Sequence, residues 1–146
     1  MGWYRKIVAA ATMTVAVIVA LAGCMSAMQT VAADVPPGGW SEPEDLIYIK
    51  RDTLTVATVA LSLRHSVEVS PSSAAFRVVR LSPWGERHVD TVRIDIPPIL
   101  FRTGRLHETT APLSPSRAAF SEPGEWHFTV TPLQTMSGVW SVAIEL

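Results

Sequence analysis

The residues able to do chemistry are few and scattered. The chain has one cysteine, Cys24, and four histidines, His65, His88, His107 and His127. A zinc or iron site draws on His, Cys and carboxylate ligands at close, characteristic spacings. None of the four histidines sits in such a motif. A hydrolytic nucleophile needs a base and a group that orients the base. Ser66 follows His65 and Asp90 lies close to His88, yet these are neighbours only along the chain, and no Gly-x-Ser-x-Gly elbow occurs. The acidic run Glu42-Pro43-Glu44-Asp45 reads as a solvated turn. These residues predict no metal, no cofactor and no enzyme activity.

Cys24 has a different context. Met1 to Lys6 carries two positive charges, Ile7 to Leu21 is apolar apart from Thr12 and Thr14, and Leu21-Ala22-Gly23-Cys24 closes the run. A basic head, an apolar body and small residues form the order of a secretory signal. The apolar body is shorter than the roughly 20 residues that span a bilayer comfortably, so a transmembrane helix is the weaker reading. A lone cysteine cannot form an intramolecular disulfide. Leu-Ala-Gly-Cys resembles the lipobox of bacterial lipoproteins, in which cleavage precedes the cysteine and its thiol is acylated. Residues 1–23 are therefore expected to be a cleaved signal peptide and Cys24 the lipid attachment point. Two or more acyl chains make such an anchor stable.

Of the 12 Lys and Arg, Arg5 and Lys6 leave with the signal, which sets 10 against 13 Asp and Glu, a formal charge of −3. Phosphate recognition needs clustered Lys and Arg, so a nucleic-acid partner is not expected. The remaining 123 residues are the size of one domain. Residues 24–39 lack a sustained period and end in Pro36-Pro37-Gly38-Gly39, the composition of a flexible tether. No acidic stretch follows the cysteine. By resemblance to lipoproteins of Bacteroidota, where such a stretch marks surface export, its absence favours a periplasm-facing position, on the outer rather than the inner membrane.

From Trp40 to Leu146 the pattern has period two. Strands are expected at 46–49, 53–63, 75–81, 88–96, 125–131 and 139–146. Val59, Leu61 and Leu63 share one face, Trp126, Phe128 and Val130 another, and Trp140, Val142, Ile144 and Leu146 a third. Proline, glycine and serine punctuate the gaps at 71–73, 82–85, 97–98, 112–115 and 122–124. No segment after the signal has a helical period. The domain, residues 40–146, is predicted to be an all-β antiparallel sandwich of six to eight strands, Ig-like or jelly-roll-like.

On that scaffold three residues are candidate partner contacts: Arg64, Trp84 and Asp90. Arg64 is either a solvent-facing strand end or half of an ion pair with Asp90 or Asp95. Trp84, in the Ser82-Pro83-Trp84-Gly85 turn, either plugs the end of the sandwich or meets a partner, since loops on rigid β scaffolds often carry binding residues.

From Trp40 onward short motifs follow in order, Leu63-Arg64-His65-Ser66, Pro83-Trp84-Gly85 and Asp90-Thr91-Val92 first among them, and this order resembles the gliding-motility lipoprotein family GldH of Bacteroidota. The matching places continue with Phe120, Pro123-Gly124, Trp126, Phe128, Gln134 and Met136, and the closing segment with Glu145. The chain departs from the family at Pro97 to Arg105, where a shorter loop replaces one with glycine and tryptophan, and again between Met136 and Gly138. The resemblance implies a lipid-anchored, non-enzymatic accessory of the envelope gliding machinery linked to type IX secretion. Its partners would be other envelope lipoproteins and membrane proteins of that apparatus. The alternative is a small-ligand or carbohydrate-binding envelope lipoprotein, for which an exposed aromatic platform would speak.

Overall fold

In a computed structural model the described residues are 29–98, 105–114 and 119–146. They form eight strands: β1 (Thr30–Asp34), β2 (Glu44–Lys50), β3 (Ala60–Ser70), β4 (Ser73–Leu81), β5 (Arg87–Asp95), β6 (His107–Pro112), β7 (Gly124–Pro132) and β8 (Ser137–Glu145). Two four-stranded sheets, β1-β8-β3-β6 and β2-β7-β4-β5, pack face to face, and every pairing is antiparallel. The all-β sandwich read from the sequence is the fold.

Period-two patterning explains the layers. In β7 Trp126, Phe128 and Val130 are buried while Glu125, His127 and Thr129 alternate outward. In β4 Ala74, Phe76, Val78 and Arg80 point inward. Leu61, Leu63, Val142 and Ile144 supply the facing layer and are fully buried. Each such aliphatic side chain contributes about 1.5–3 kcal/mol when removed from water. Trp40 stacks on Phe76 with ring centroids 5.8 Å apart, and Phe120 packs on Trp126 at 4.2 Å, one aromatic pair toward each end of the core.

Four expectations need correction. The supposed tether, residues 24–39, contains β1, which pairs with β8 from Thr30↔Glu145 to Asp34↔Ser141. Its Thr-Val-Ala-Ala-Asp sequence carries too little apolar contrast to announce a strand; it is ordered because it completes an edge of the sheet. The long strand expected at 53–63 starts instead at Ala60 and runs to Ser70, so Arg64 lies mid-strand. Before it, Val56 exchanges backbone hydrogen bonds with Phe120, and the Val59 carbonyl accepts from the Leu113 N–H. β6 lies where no strand is expected, because His107-Glu108-Thr109-Thr110-Ala111-Pro112 has no large aliphatic side chain.

The fourth correction concerns Trp140, expected to face the core with Val142. Arg64 lies opposite Ser141 but His65 lies opposite Val139, so Trp140 is the extra residue of a bulge. A bulge inverts the parity of the strand beyond it. Val139 turns inward and the Trp140 indole turns out, 47% exposed.

Candidate functional site

The three predicted contact residues do not converge. Arg64 is exposed on the outer face of β1-β8-β3-β6. Asp90 is half-buried on the inward-pointing row of β5, in the opposite sheet, so of the two readings of Arg64 the ion pair with Asp90 or Asp95 is excluded by the layer order and the solvent-facing one stands. Trp84 stands at the tip of the β4–β5 hairpin with 79% of its surface exposed, which rules out the plug. Cys24 lies outside the described residues.

The plug position is filled by other residues. Arg80, on the inner face near the end of β4, has its guanidinium 5.6 Å from the ring centroids of both Phe120 and Trp126. Burial pushes its pKa down from the ordinary arginine value, while Asp90, Glu86 and Glu122 act in the opposite direction. Asp90 therefore belongs to the electrostatic surroundings of a buried arginine, a role for which its strand position gave no signal. A guanidinium beside a pair of packed aromatic rings is a stabilising arrangement in a partly dry site.

Side chains do converge on the outer face of β1-β8-β3-β6. Ser62 on β3 is flanked by Glu108 and Thr110 on β6 and by Ala143 on β8. Its hydroxyl donates to Glu108 Oε1 at 2.9 Å and accepts from Thr110 Oγ1 at 3.2 Å. Although it points outward, Ser62 is only 2% exposed, because the carboxylates lie over it. Glu145 on β8 faces Glu108 across β3, close enough for the two carboxyl groups to interact. Burial first, then contact with Glu108 and its charge, hold the Glu145 carboxyl above the ordinary glutamate pKa, with Ser62 pulling the other way.

Ser62, Glu108 and Glu145, with Arg64, Asp34 and Ser141, border a shallow depression of about 440 Å³ that Ala32 and Ala143 also line. The small residues that keep it open are the ones that made β1 illegible. A second depression of about 360 Å³ shares Asp34, Arg64 and Ser141 and is walled by Trp140 and Leu106. The two are thus continuous. The result is an open polar groove with one cation, several acidic groups and an indole at one side.

The histidines divide as structural and surface groups. His65 is 1% exposed; its Nδ1 is 3.0 Å from the Ser66 carbonyl and its Nε2 2.8 Å from the Thr109 hydroxyl. A carbonyl can only accept, so Nδ1 carries a proton. His127, on the outer face of β7, has Nδ1 2.9 Å from Asp45 Oδ2 and Nε2 2.7 Å from Glu125 Oε1. Those bonds, to Asp45 first, raise its pKa above the ordinary value of 6.5. The two carboxylates sit on opposite edges of the ring and cannot reach a common ion. Among the described residues no group of three or more His, Cys, Asp or Glu is arranged to hold a metal.

Comparison with known proteins finds no family model that matches the chain and no curated sequence that matches it.

Proposed function

We propose that the chain is a lipid-anchored, non-enzymatic accessory of a cell-envelope complex. The gliding-motility and type IX secretion apparatus is the complex that the motif order resembles. The observation that carries the anchored part of this reading is where the chain enters the fold. Thr30, six residues after Cys24, is already paired with Glu145, so an acylated Cys24 would hold the sandwich directly against a bilayer. Confinement of that kind raises the effective concentration of a binding surface for other anchored proteins. The groove around Ser62, Glu108 and Arg64 is the surface best formed for contact.

The test is affinity purification of the tagged, full-length lipoprotein from native membranes, followed by mass spectrometry, with Arg64→Glu as the surface variant. Motility or secretion proteins enriched with the wild type and depleted with the variant are the expected result. Their absence above background overturns the reading. Cys24→Ala should move the protein from the membrane to the soluble fraction; retention there would mean a different anchor.

One observation favours a second reading, carbohydrate binding: the outward-turned Trp140 beside the polar groove. An indole face next to hydroxyl-binding carboxyls suits a sugar ring. Glycan-array signal lost in Trp140→Ala, with no enrichment of envelope proteins, would select it.

A further inference from the structure

The three most exposed large hydrophobic side chains among the described residues are Trp84 at 79%, Leu54 at 72% and Ile49 at 57%. All three lie at one end of the sandwich. Ile49 is the penultimate residue of β2 and Leu54 stands in the loop that follows. The hairpin bearing Trp84 is locked against the start of β7: Gly124, at φ +134°, leaves so little room that an added Cβ would sit 2.6 Å from Pro83 Cγ. Lys50↔Gly124 and Leu81↔His127 put the ends of β2 and β4 beside that start.

The chain also enters the fold at this end. Gln29 exchanges backbone hydrogen bonds with Leu146, and Gln29, Leu146, Lys50 and Leu54 border one depression. Thus the residue nearest to Cys24 in the described chain and the most exposed apolar side chains share a single pole of the domain.

We propose that this pole is a membrane-contacting surface: Trp84, Leu54 and Ile49 insert at the headgroup level of the bilayer that holds the N-terminus. The proposal rests on the anchored reading of Cys24. Chain length decides the orientation. Five residues lead from Cys24 to Gln29, a reach of at most about 18 Å even fully extended. The nine residues of β7 run about 30 Å at roughly 3.4 Å each, so the opposite pole cannot be turned to the same membrane. A tether this short keeps the apolar pole within reach of the surface at all times, and weak insertion then suffices. An indole with two aliphatic side chains is the combination that partitions to a membrane interface.

Charge does not drive the contact. Arg51 and Arg87 flank the pole, but so do Asp52, Glu86 and Glu122. Insertion is therefore apolar in origin and independent of anionic lipid. Toward the far pole Trp40 and Met136 are buried, and the exposed apolar side chains are scattered and less exposed, Leu133 at 48%, Trp140 at 47% and Leu106 at 39%.

The test uses the full-length acylated protein in phosphatidylcholine vesicles, with and without phosphatidylglycerol. Leu54→Cys, Trp84→Cys and, at the far pole, Thr135→Cys each offer one free thiol for an environment-sensitive fluorophore, because the Cys24 thiol is consumed by acylation. The expected result is quenching by nitroxide-labelled lipid severalfold stronger at 54 and 84 than at 135, unchanged by phosphatidylglycerol or salt. Equal quenching at all three positions, with the protein still on the vesicles, overturns the proposal and leaves the anchor intact. Native protein whose Cys24 bears no fatty-acid mass, and which does not float with vesicles, overturns both.

Discussion

Ser62 on β3 donates a 2.9 Å hydrogen bond to Glu108 on the edge strand β6, and Glu145 on β8 faces the same pair from the other side of β3. Because the folded pKa of Glu145 is raised, the folded state holds the proton longer than the unfolded chain does. The stabilisation is complete below the ordinary value of 4.5 and is lost as pH rises through the folded pKa. Urea denaturation between pH 4 and 8 should show this loss, and Glu145→Gln should flatten it and equal or exceed the wild type at pH 7. Identical pH profiles for the two proteins would refute the raised Glu145 pKa.

The His127 clamp works in a higher window. Its stabilisation is fully present below 6.5 and is lost as pH rises through the elevated folded pKa. The site is solvent-exposed, so the effect is small, about 0–1 kcal/mol as for surface ion pairs. Asp45→Asn should lower the His127 pKa followed by NMR and weaken the dependence, with added salt acting in the same direction. A His127 pKa unmoved by Asp45→Asn would contradict the geometry.

Gly138 opens the bulged start of β8. Its φ is +78°, its N–H donates to the Pro37 carbonyl, and an added Cβ would lie 2.8 Å from the Val69 Cα. A backbone neighbour cannot yield as a flexible side chain would. Gly138→Ala should cost about 2–4 kcal/mol, adding strain at positive φ to a steric clash. A melting temperature within a degree or two of the wild type would show that the turn relaxes.

Arg80 is read as a structural cation. Arg80→Ala removes contacts with Phe120 and Trp126 and should cost about 2–4 kcal/mol, while Arg80→Lys, lacking the planar stack, should recover only part. Full recovery by lysine would show that charge alone matters. Trp126 fluorescence is a local report, since its indole Nε1 donates to the Glu122 carbonyl at 2.9 Å.

Much of the fold was legible because half-buried strands must alternate. Leu61 with Leu63, Trp126 with Phe128 and Val142 with Ile144 point inward as period two requires, and Pro-Gly and Ser-Pro pairs mark the turns between them. β1 and β6 were not legible. Ala32, Ala33, Thr109 and Thr110 have almost no hydropathy contrast, and they become strands through hydrogen bonds to β8 and β3. The groove shared that fate, being built on those same strands.

The one-dimensional pattern thus determined the class of fold, the single-domain size and the presence of one cysteine behind an apolar run, since each follows from residue type and local spacing. Strand order decided the rest. Residues 62, 108 and 145 meet because β6 and β8 flank β3, Arg64 and Asp90 are parted because their strands lie in different layers, and Trp140 faces outward because a single bulge reverses its parity. Such relationships join positions tens of residues apart, and no local preference encodes them.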